Sequence, residues 1–505
     1  MLLELHCHSL KHSKCSFADP YELVKQAVKK DLYGLVFTEH GYLWSDEELE
    51  DLRKQHGIDK HFLLLSAQEV STDFGHVLVY GADKSLDGNY KLSDLKKQYP
   101  AAAFVWAHPF RKGVMPSDEK LMNKDFDAIE IFSSNQTIKE NYLGLKTWHR
   151  LKFNAVCGSD AHSIDRAGIF PTMFDHDVAN IKDVAAEIKN GRCRPFYKEE
   201  QLSGSHITVT EVIIGTKGIP ERRERIVIKK SDDDKSWNKL KETSLIARDY
   251  LCKNFVDKNY RVPQIYEIDD DEHTVMEEGQ RGESLSKLFL HVGFAVQKKY
   301  FELAAKWLAK LHSYKIQKIS ANIAQELENK RLKRYKKLFE ENKTKYSGLI
   351  LNIAENVAKK ERDFYLKQNE NFIFLHGDYH PGNVIIGQDD SKDPDSVFVS
   401  VIDFNNSVNY VKEFDIGYFL AQYQSQFSNE KEILNTLTQE LFLKSYFNGE
   451  TPSEQQINDI MFFKLRGYLS IAAFFHSLGM GESGKMEFIA GDINKTLSEN
   501  KDIFL

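Results

Sequence analysis

Five cysteines in 505 residues, an odd number without framework spacing, exclude a disulfide-stapled scaffold and fit a reducing cytosol. Basic excess is missing too. A net charge of -7 offers no electrostatic footprint for nucleic acid, although a small nucleotide or an RNA end stays open as a partner. No apolar run approaches the length of a membrane span, and Leu2-Leu3-Glu4-Leu5-His6 opens directly into a strand-like run with no room for a signal peptide. A cytoplasmic enzyme of small molecules is the expectation. Internal repeats and long low-complexity tracts are also lacking. The 41% of hydrophobic residues suffices for the cores of roughly two to four compact units.

What the first third holds in quantity is metal-ligand chemistry. The residues run His6-Cys7-His8, Thr38-Glu39-His40, Glu69, Gly75-His76, Ala107-His108-Pro109 and Gly158-Ser159-Asp160-Ala161-His162. Most sit beside a short apolar run: Leu35-Val36-Phe37 before His40, Phe62 to Leu65 before Glu69, Ala103 to Trp106 before His108, Ala155-Val156-Cys157 before Asp160. Such runs alternate with helical stretches such as Pro20 to Lys30, which predicts βα units and a barrel-like sheet with its functional residues at the strand ends. A lone histidine at a strand end is more often a hydrogen-bonded core or surface residue; repetition changes that. Imidazoles with a few carboxylates suit Zn, Mn or Fe, and a set this large exceeds the needs of one tetrahedral ion. Two or three ions are expected.

In order and spacing these motifs resemble the PHP (polymerase and histidinol phosphatase) superfamily of metal-dependent phosphoesterases, over residues 1 to 195 or so. The resemblance implies a distorted (β/α)7 barrel. It makes His6, His8, Glu69 and Asp160 ligands of one metal, with Glu69 bridging to a second held by His76 and His108, and His40 and His162 holding a third. The turn His12-Ser13-Lys14-Cys15-Ser16 departs from the family, which places an Asp or His ligand there. Cys15 aligns best with that ligand, and His12 is the alternative. Two bridged ions imply phosphoester hydrolysis. Arg111 and Arg166, three and four residues beyond His108 and His162, are candidates to grip the phosphate, with surface solvation as the plainer reading of each.

The second half carries an independent signature. His376-Gly377-Asp378-Tyr379-His380-Pro381-Gly382-Asn383 precedes the strand-like Val384 to Ile386, and Val399 to Ile402 leads into Asp403-Phe404. An Asp and an Asn five apart on a loop, then an Asp closing a later strand, are the parts of a kinase catalytic centre. Asp378 would accept the proton of the substrate hydroxyl, and Asn383 and Asp403 would hold magnesium ions on ATP. The pattern resembles the aminoglycoside phosphotransferase and choline kinase-like family over residues 200 to 505 or so. That resemblance implies a phosphate-contacting lysine at Lys229, its partner at Glu242, a hinge at Thr274 to Glu278 with Glu277 at the adenine, and a bracing role for Asp415. Alternation along Arg225 to Lys230 sets Lys229 and Lys230 on opposite faces. Around Ser203-Gly204-Ser205, where the nucleotide-covering loop belongs, no G-x-G-x-x-G stands.

The expected architecture is therefore α/β: a phosphoesterase domain at 1-198, a kinase-like small lobe at 199-285 and a large lobe at 286-505, joined near Gly191 to Gly204. The highly charged stretch from Ser320 to Lys367 reads as a solvated helix pair, or as a lid over an anionic substrate, with Lys330 to Lys337 notably basic. The leading functional reading is a bifunctional enzyme that hydrolyses one phosphoester and phosphorylates a small-molecule hydroxyl with ATP and Mg. The alternative is an active phosphatase whose kinase-like half binds nucleotide as a sensor.

Overall fold

The computed structural model describes residues 1–202, 207–215, 224–316, 321–367, 372–389, 393–500 and 502–504. The chain divides into two compact units, Met1–Lys230 and Ser231–Leu505. The small lobe expected at 199-285 straddles that division. Ser203-Gly204-Ser205 lies outside the described residues.

The first unit runs β1 (Leu2–Cys7), α1 (Pro20–Lys29), β2 (Gly34–His40), α2 (Asp46–His56), β3 (Leu63–Thr72), β4 (Gly75–Tyr80), β5 (Asn89–Tyr90) and α3 (Leu92–Gln98). It continues through β6 (Ala103–Trp106), α4 (Asp118–Leu121), β7 (Ala128–Phe132), α5 (Ile138–Leu151), β8 (Ala155–Cys157), β9 (Thr172–Phe174), α6 (Ile181–Lys189) and β10 (Cys193–Pro195). Strands β11 (Tyr197–Leu202) and β12 (Ile207–Ile214) pair antiparallel, and β13 (Glu224–Ser231) follows. The main sheet has the order β10-β9-β1-β2-β3-β4-β6-β7-β8, with β5 beside β3. Because β10 also lies against β8, the sheet curls into a nearly closed barrel.

Pairing is parallel at β1–β2, β2–β3, β6–β7 and β7–β8, and antiparallel where β4 follows β3 as a hairpin. The hairpin has a consequence for function: it turns the chain back within three residues of Glu69's strand end, so that His76 faces the same rim. Leu3, Leu5, Val36, Leu78, Val105 and Val156 meet in one buried cluster, joined by Val184 and Ile188 of α6. Each large aliphatic side chain so buried contributes about 1.5–3 kcal/mol relative to exposure. Helix starts follow local chemistry. Asp19 caps α1 through the amides of Tyr21 and Glu22, with Pro20 at the first helical position. Ser45 with Glu48, and Thr137 with Glu140, form capping boxes on α2 and α5.

The second unit begins with α7 (Asp234–Ile246), a wider helical turn at Ala247–Leu251 and α8 (Cys252–Asn254). Strands β14 (Tyr260–Arg261), β15 (Ile265–Asp269), β16 (Thr274–Glu278) and β17 (Glu283–Ser284) lead to α9 (Leu285–Leu288), α10 (Phe294–Ser313), α11 (Ala321–Glu341) and α12 (Ser347–Lys367). After these come β18 (Ile373–Leu375), β19 (Val384–Gln388), β20 (Val397–Val401) and β21 (Val408–Tyr410). Five helices close the chain: α13 (Glu413–Gln426), α14 (Lys431–Thr436), α15 (Gln439–Tyr446), α16 (Glu454–Ser477) and α17 (Gly484–Glu499). The hairpin β19–β20 and the pair β18–β21 set the two loops that matter, between β18 and β19 and between β20 and β21. Helices α13 and α16 pack side by side over a core that includes Phe301, Trp307, Phe419, Tyr423 and Phe463. Among the described residues, no helix is long and apolar enough to cross a membrane.

Candidate active sites

At the rim of the barrel the strands deliver their ligand-type residues to one place. His6 and His8 sit at the end of β1, His40 at the end of β2, Glu69 on β3 and His76 on β4; His108 follows β6, and Asp160 and His162 follow β8. Three groups have ligand atoms close enough to share an ion: His6 with His8 and Asp160, Glu69 with His76 and His108, and His8 with His40 and His162. Glu69 is the centre of this arrangement. Its Oε1 lies 2.7 Å from His76 Nδ1 and 3.0 Å from His108 Nε2; its Oε2 lies 3.1 Å from His40 Nδ1 and 3.3 Å from His8 Nε2. Oε2 is buried and accepts no hydrogen bond among the described residues. A buried carboxylate oxygen without a donor costs free energy unless a cation meets it, so the donor set fits metal.

The imidazoles and carboxylates of the rim perturb one another. Burial opposes charge on His6, yet Glu130 and Asp160 raise its pKa well above the usual imidazole value. Against burial, Asp160 and Glu69 raise His8 to about 9. Burial also opposes the charges of Glu69 and Asp160, but the surrounding imidazoles, His108 first for Glu69 and His6 first for Asp160, hold both carboxyls down. By contrast, burial lowers His40 to about 4 and lowers His162, leaving neutral imidazoles. Asp160 and His108 both adopt positive φ, 49° and 34°, a backbone state that non-glycine residues hold only where surroundings enforce it.

Behind the ligands stand residues that motif reading passed over. Glu130, buried on β7, lies 2.9 Å from His6 Nδ1 and accepts the His108 amide at 2.9 Å. A carboxylate between Ile129 and Ile131 in an all-apolar strand was the available signal. Glu4 accepts the amides of His6 and Ser159 at 2.9 Å each, and burial raises its carboxyl pKa. Glu39 accepts from Ser9, Ser13 and Trp44. Asn135 Nδ2 lies 2.9 Å from Asp160 Oδ2 and 3.2 Å from His162 Nδ1.

The two arginines separate. Arg111 reaches 3.5 Å from Asp160 Oδ2, on the rim. Arg166 donates to the Ser134 carbonyl at 2.9 Å and to Asn135 Oδ1 at 2.7 Å, and so fixes Asn135. Cys15 is exposed and belongs to none of the three groups, although burial and the charges of Glu69 and Asp160 raise its thiol pKa. His12 turns away, 3.1 Å from Glu48 and stacked on Tyr42.

The second unit's site is built on the two loops. Asp378 follows β18, its amide 3.2 Å from His376 Nδ1 and its Oδ2 accepting from Asn406 Nδ2 at 3.2 Å. Asn383, nearly buried, donates to the Asp378 carbonyl at 3.0 Å, which fixes the five-residue spacing as one turn of loop. Asp403 sits at φ 65° with its Oδ1 buried and without a hydrogen-bond partner among the described residues, an oxygen that fits a cation. His376 Nε2 lies 2.9 Å from the Ile402 carbonyl and ties the loops together. Asp415 braces them, accepting the amides of His376 at 2.8 Å and Gly377 at 2.9 Å. At Gly377, φ 78°, a Cβ would stand 2.0 Å from the Asn406 carbonyl oxygen, so no side chain fits.

Lys229 is buried on β13 and Lys230 is exposed, as alternation demands; Glu277 is buried on β16. Glu242 lies exposed on α7. Also on α7, Lys239 places its Nζ 3.5 Å from Asn406 Oδ1, in the loop after β20. Tyr418 lies on α13, and burial together with the charge of Asp378 pushes its phenol far up.

Comparison with known proteins separates the two units. Residues 239–448 match the phosphotransferase enzyme family, a range containing Asp378, Asn383, Asp403 and Asp415. Residues 139–193 match the family described as PHP-associated. The phosphotransferase-family match thus falls within the second unit and the PHP-associated match within the first. No curated protein matches the chain. Solved structures similar to it include the Plasmodium vivax ethanolamine kinase, at 18% identity and TM-score 0.37, covering 61% of this chain and 82% of that one. A choline/ethanolamine kinase family protein from Mesorhizobium loti aligns at 14% and TM-score 0.39, over 61% and 91% of the two chains. An aminoglycoside phosphotransferase from Streptomyces rimosus aligns at 13% and TM-score 0.37, over 53% and 92%.

Proposed function

We propose that this chain is a bifunctional enzyme, hydrolysing a phosphoester in the barrel and phosphorylating a small-molecule hydroxyl in the second unit. The observation that carries the first half is Glu69, whose two oxygens each face a separate set of imidazoles. His6, His8, Glu69 and Asp160 would hold one divalent ion, Glu69 would bridge to a second held by His76 and His108, and His40 with His162 would hold a third; Zn, Mn and Fe suit such donors. Bound ions there supply Lewis acidity and an activated water. The chain's own residues do the rest. Glu130 fixes the ring of His6 by holding Nδ1, which leaves Nε2 free as a donor atom. Arg111 is placed to meet a phosphoryl oxygen beside Asp160, and Asn135, clamped by Arg166, sets the angle of Asp160 and His162.

In the second unit Asp378 would take the proton of the acceptor hydroxyl while Asn383 and Asp403 hold magnesium on ATP. Glu277 would stand at the adenine. The phosphotransferase-family match over these loops supports this half. Phosphate release from an aryl phosphate with added manganese or zinc tests the other. Glu69→Gln is expected to lose both bound metal and hydrolysis; full hydrolysis by that variant would refute the barrel reading.

A further inference from the structure

A chain of three polar contacts joins helix α7 to Asp378, and two of its members, Lys239 and Asn406, belong to none of the motifs in the sequence. Asn406 ends the short turn Phe404–Asn406 that follows Asp403, and its Nδ2 donates to Asp378 Oδ2 at 3.2 Å. Its Oδ1 faces Lys239 Nζ at 3.5 Å, the outer reach of a hydrogen bond. An ammonium only donates and an ionised carboxylate only accepts, so a side-chain amide between them fits one way round. Lys239 thereby fixes which end of Asn406 meets Asp378. The backbone around the amide is held as well. The Asn406 carbonyl occupies the space a Cβ of Gly377 would need, Ser407 Oγ donates to the His376 carbonyl at 3.3 Å, and the rings of His376 and Phe404 lie 4.8 Å apart.

We propose that Asn406 is the positioning residue for Asp378, aiming its carboxylate at the acceptor hydroxyl, and that Lys239 locks the amide in its donating orientation. This rests on the kinase reading of the second unit. Asn406 holds Oδ2, and Oδ1 is the oxygen that receives the proton; His380 Nε2 stands 4.0 Å from Oδ1, beyond hydrogen-bond reach. In the transfer, the acceptor's hydroxyl oxygen forms the bond to the γ-phosphorus. The β–γ bridging oxygen departs with its electron pair as ADP, and the hydroxyl proton passes to Asp378 Oδ1 and on to solvent. A carboxylate left to rotate would spend much of its time with neither oxygen on the hydroxyl, which is the loss that a fixed amide prevents. Helix α7 also packs on β15 and on β16, the strand of Glu277. The lock therefore lasts only while α7 keeps its seat against both those strands and the Phe404–Asn406 turn.

The test reads ADP formed from Mg-ATP by the full chain carrying Asp160→Ala, so that barrel hydrolysis does not consume phosphorylated compounds. Amino alcohols, hydroxy acids, polyols and water alone are offered as acceptors, and the fastest is used throughout. Asn406→Leu, which keeps the size without the donor, should lower kcat about tenfold, the fold-change of one lost hydrogen bond to a charged group, with KM for Mg-ATP unchanged. Lys239→Met should lower kcat by less, and Lys239→Arg should keep most of it. Because Lys239 acts through Asn406, the double variant should be no slower than Asn406→Leu alone. An unchanged kcat in Asn406→Leu, an effect confined to KM for Mg-ATP, or losses that multiply in the double variant overturns the inference. Should Asn406→Leu fail to fold, the lysine variants decide: an unchanged kcat in Lys239→Met, or an equal loss in Lys239→Arg, overturns it too. Absence of ADP with every acceptor, water included, before either residue is changed overturns the kinase reading itself.

Discussion

Glu69 and Asp403 make the same point in the two units: each has one buried carboxylate oxygen left without a hydrogen-bond donor among the described residues. Folding alone gives no reason to bury such an atom, whereas a cation does. Residues that hold the ligands matter nearly as much as the ligands. Replacing Glu130 by Gln keeps the shape but removes the charge that orients His6 and receives the His108 amide. The expected result is a metal affinity lower by roughly 10–100-fold, read by titration of the metal-free protein. An unchanged affinity would leave Glu130 with a packing role only. The ligand-type residues were legible in the sequence because each stands beside an apolar run. Glu130, Asn135 and Lys239 were not, since their roles come from contacts across 124, 25 and 167 positions of chain.

At the scale of elements, capping and strand order decide which residues reach the rim. Helix α2 shows this locally. Glu48 closes its capping box, receives the Tyr42 hydroxyl and pairs with Lys11 and His12. Burial opposes its charge, but these donors, the Ser45 amide foremost, lower its pKa to about 2. A carboxylate depressed in the folded state stabilises the fold above its ordinary range and ceases to do so as pH falls from about 4.5 towards 2. Glu48→Gln should therefore lower Tm at pH 7 and have little effect near pH 2. An equal Tm loss at both would assign the effect to shape. Periodicity predicted α1 and the paired helices α11 and α12, with Ser320 itself outside the described residues. It did not predict the antiparallel hairpin β3–β4 that carries His76 back beside Glu69, because a short apolar run looks the same in either direction. The turn of α7 into a wider helix after Ile246 was likewise invisible in composition.

For the whole molecule, a barrel-like α/β unit and a unit with a phosphotransferase-family match share one chain, and each gathers its own acidic and imidazole groups. The motifs around Asp378 and Asp403 fall within the phosphotransferase-family match, and the strand-end residues of the first unit do meet at one rim. Substrate choice was not legible, because selectivity resides in side chains that distant parts of the chain bring together. Under the proposed function, removal and addition of phosphate are separate activities of separate sites. The direct test is one assay pair, metal-dependent phosphate release and ATP-dependent phosphotransfer, on the full chain and on Asp160→Ala and Asp403→Ala. Asp160→Ala should lose release and keep transfer, and Asp403→Ala should lose transfer and keep release. Equal loss of either activity in both variants would contradict it.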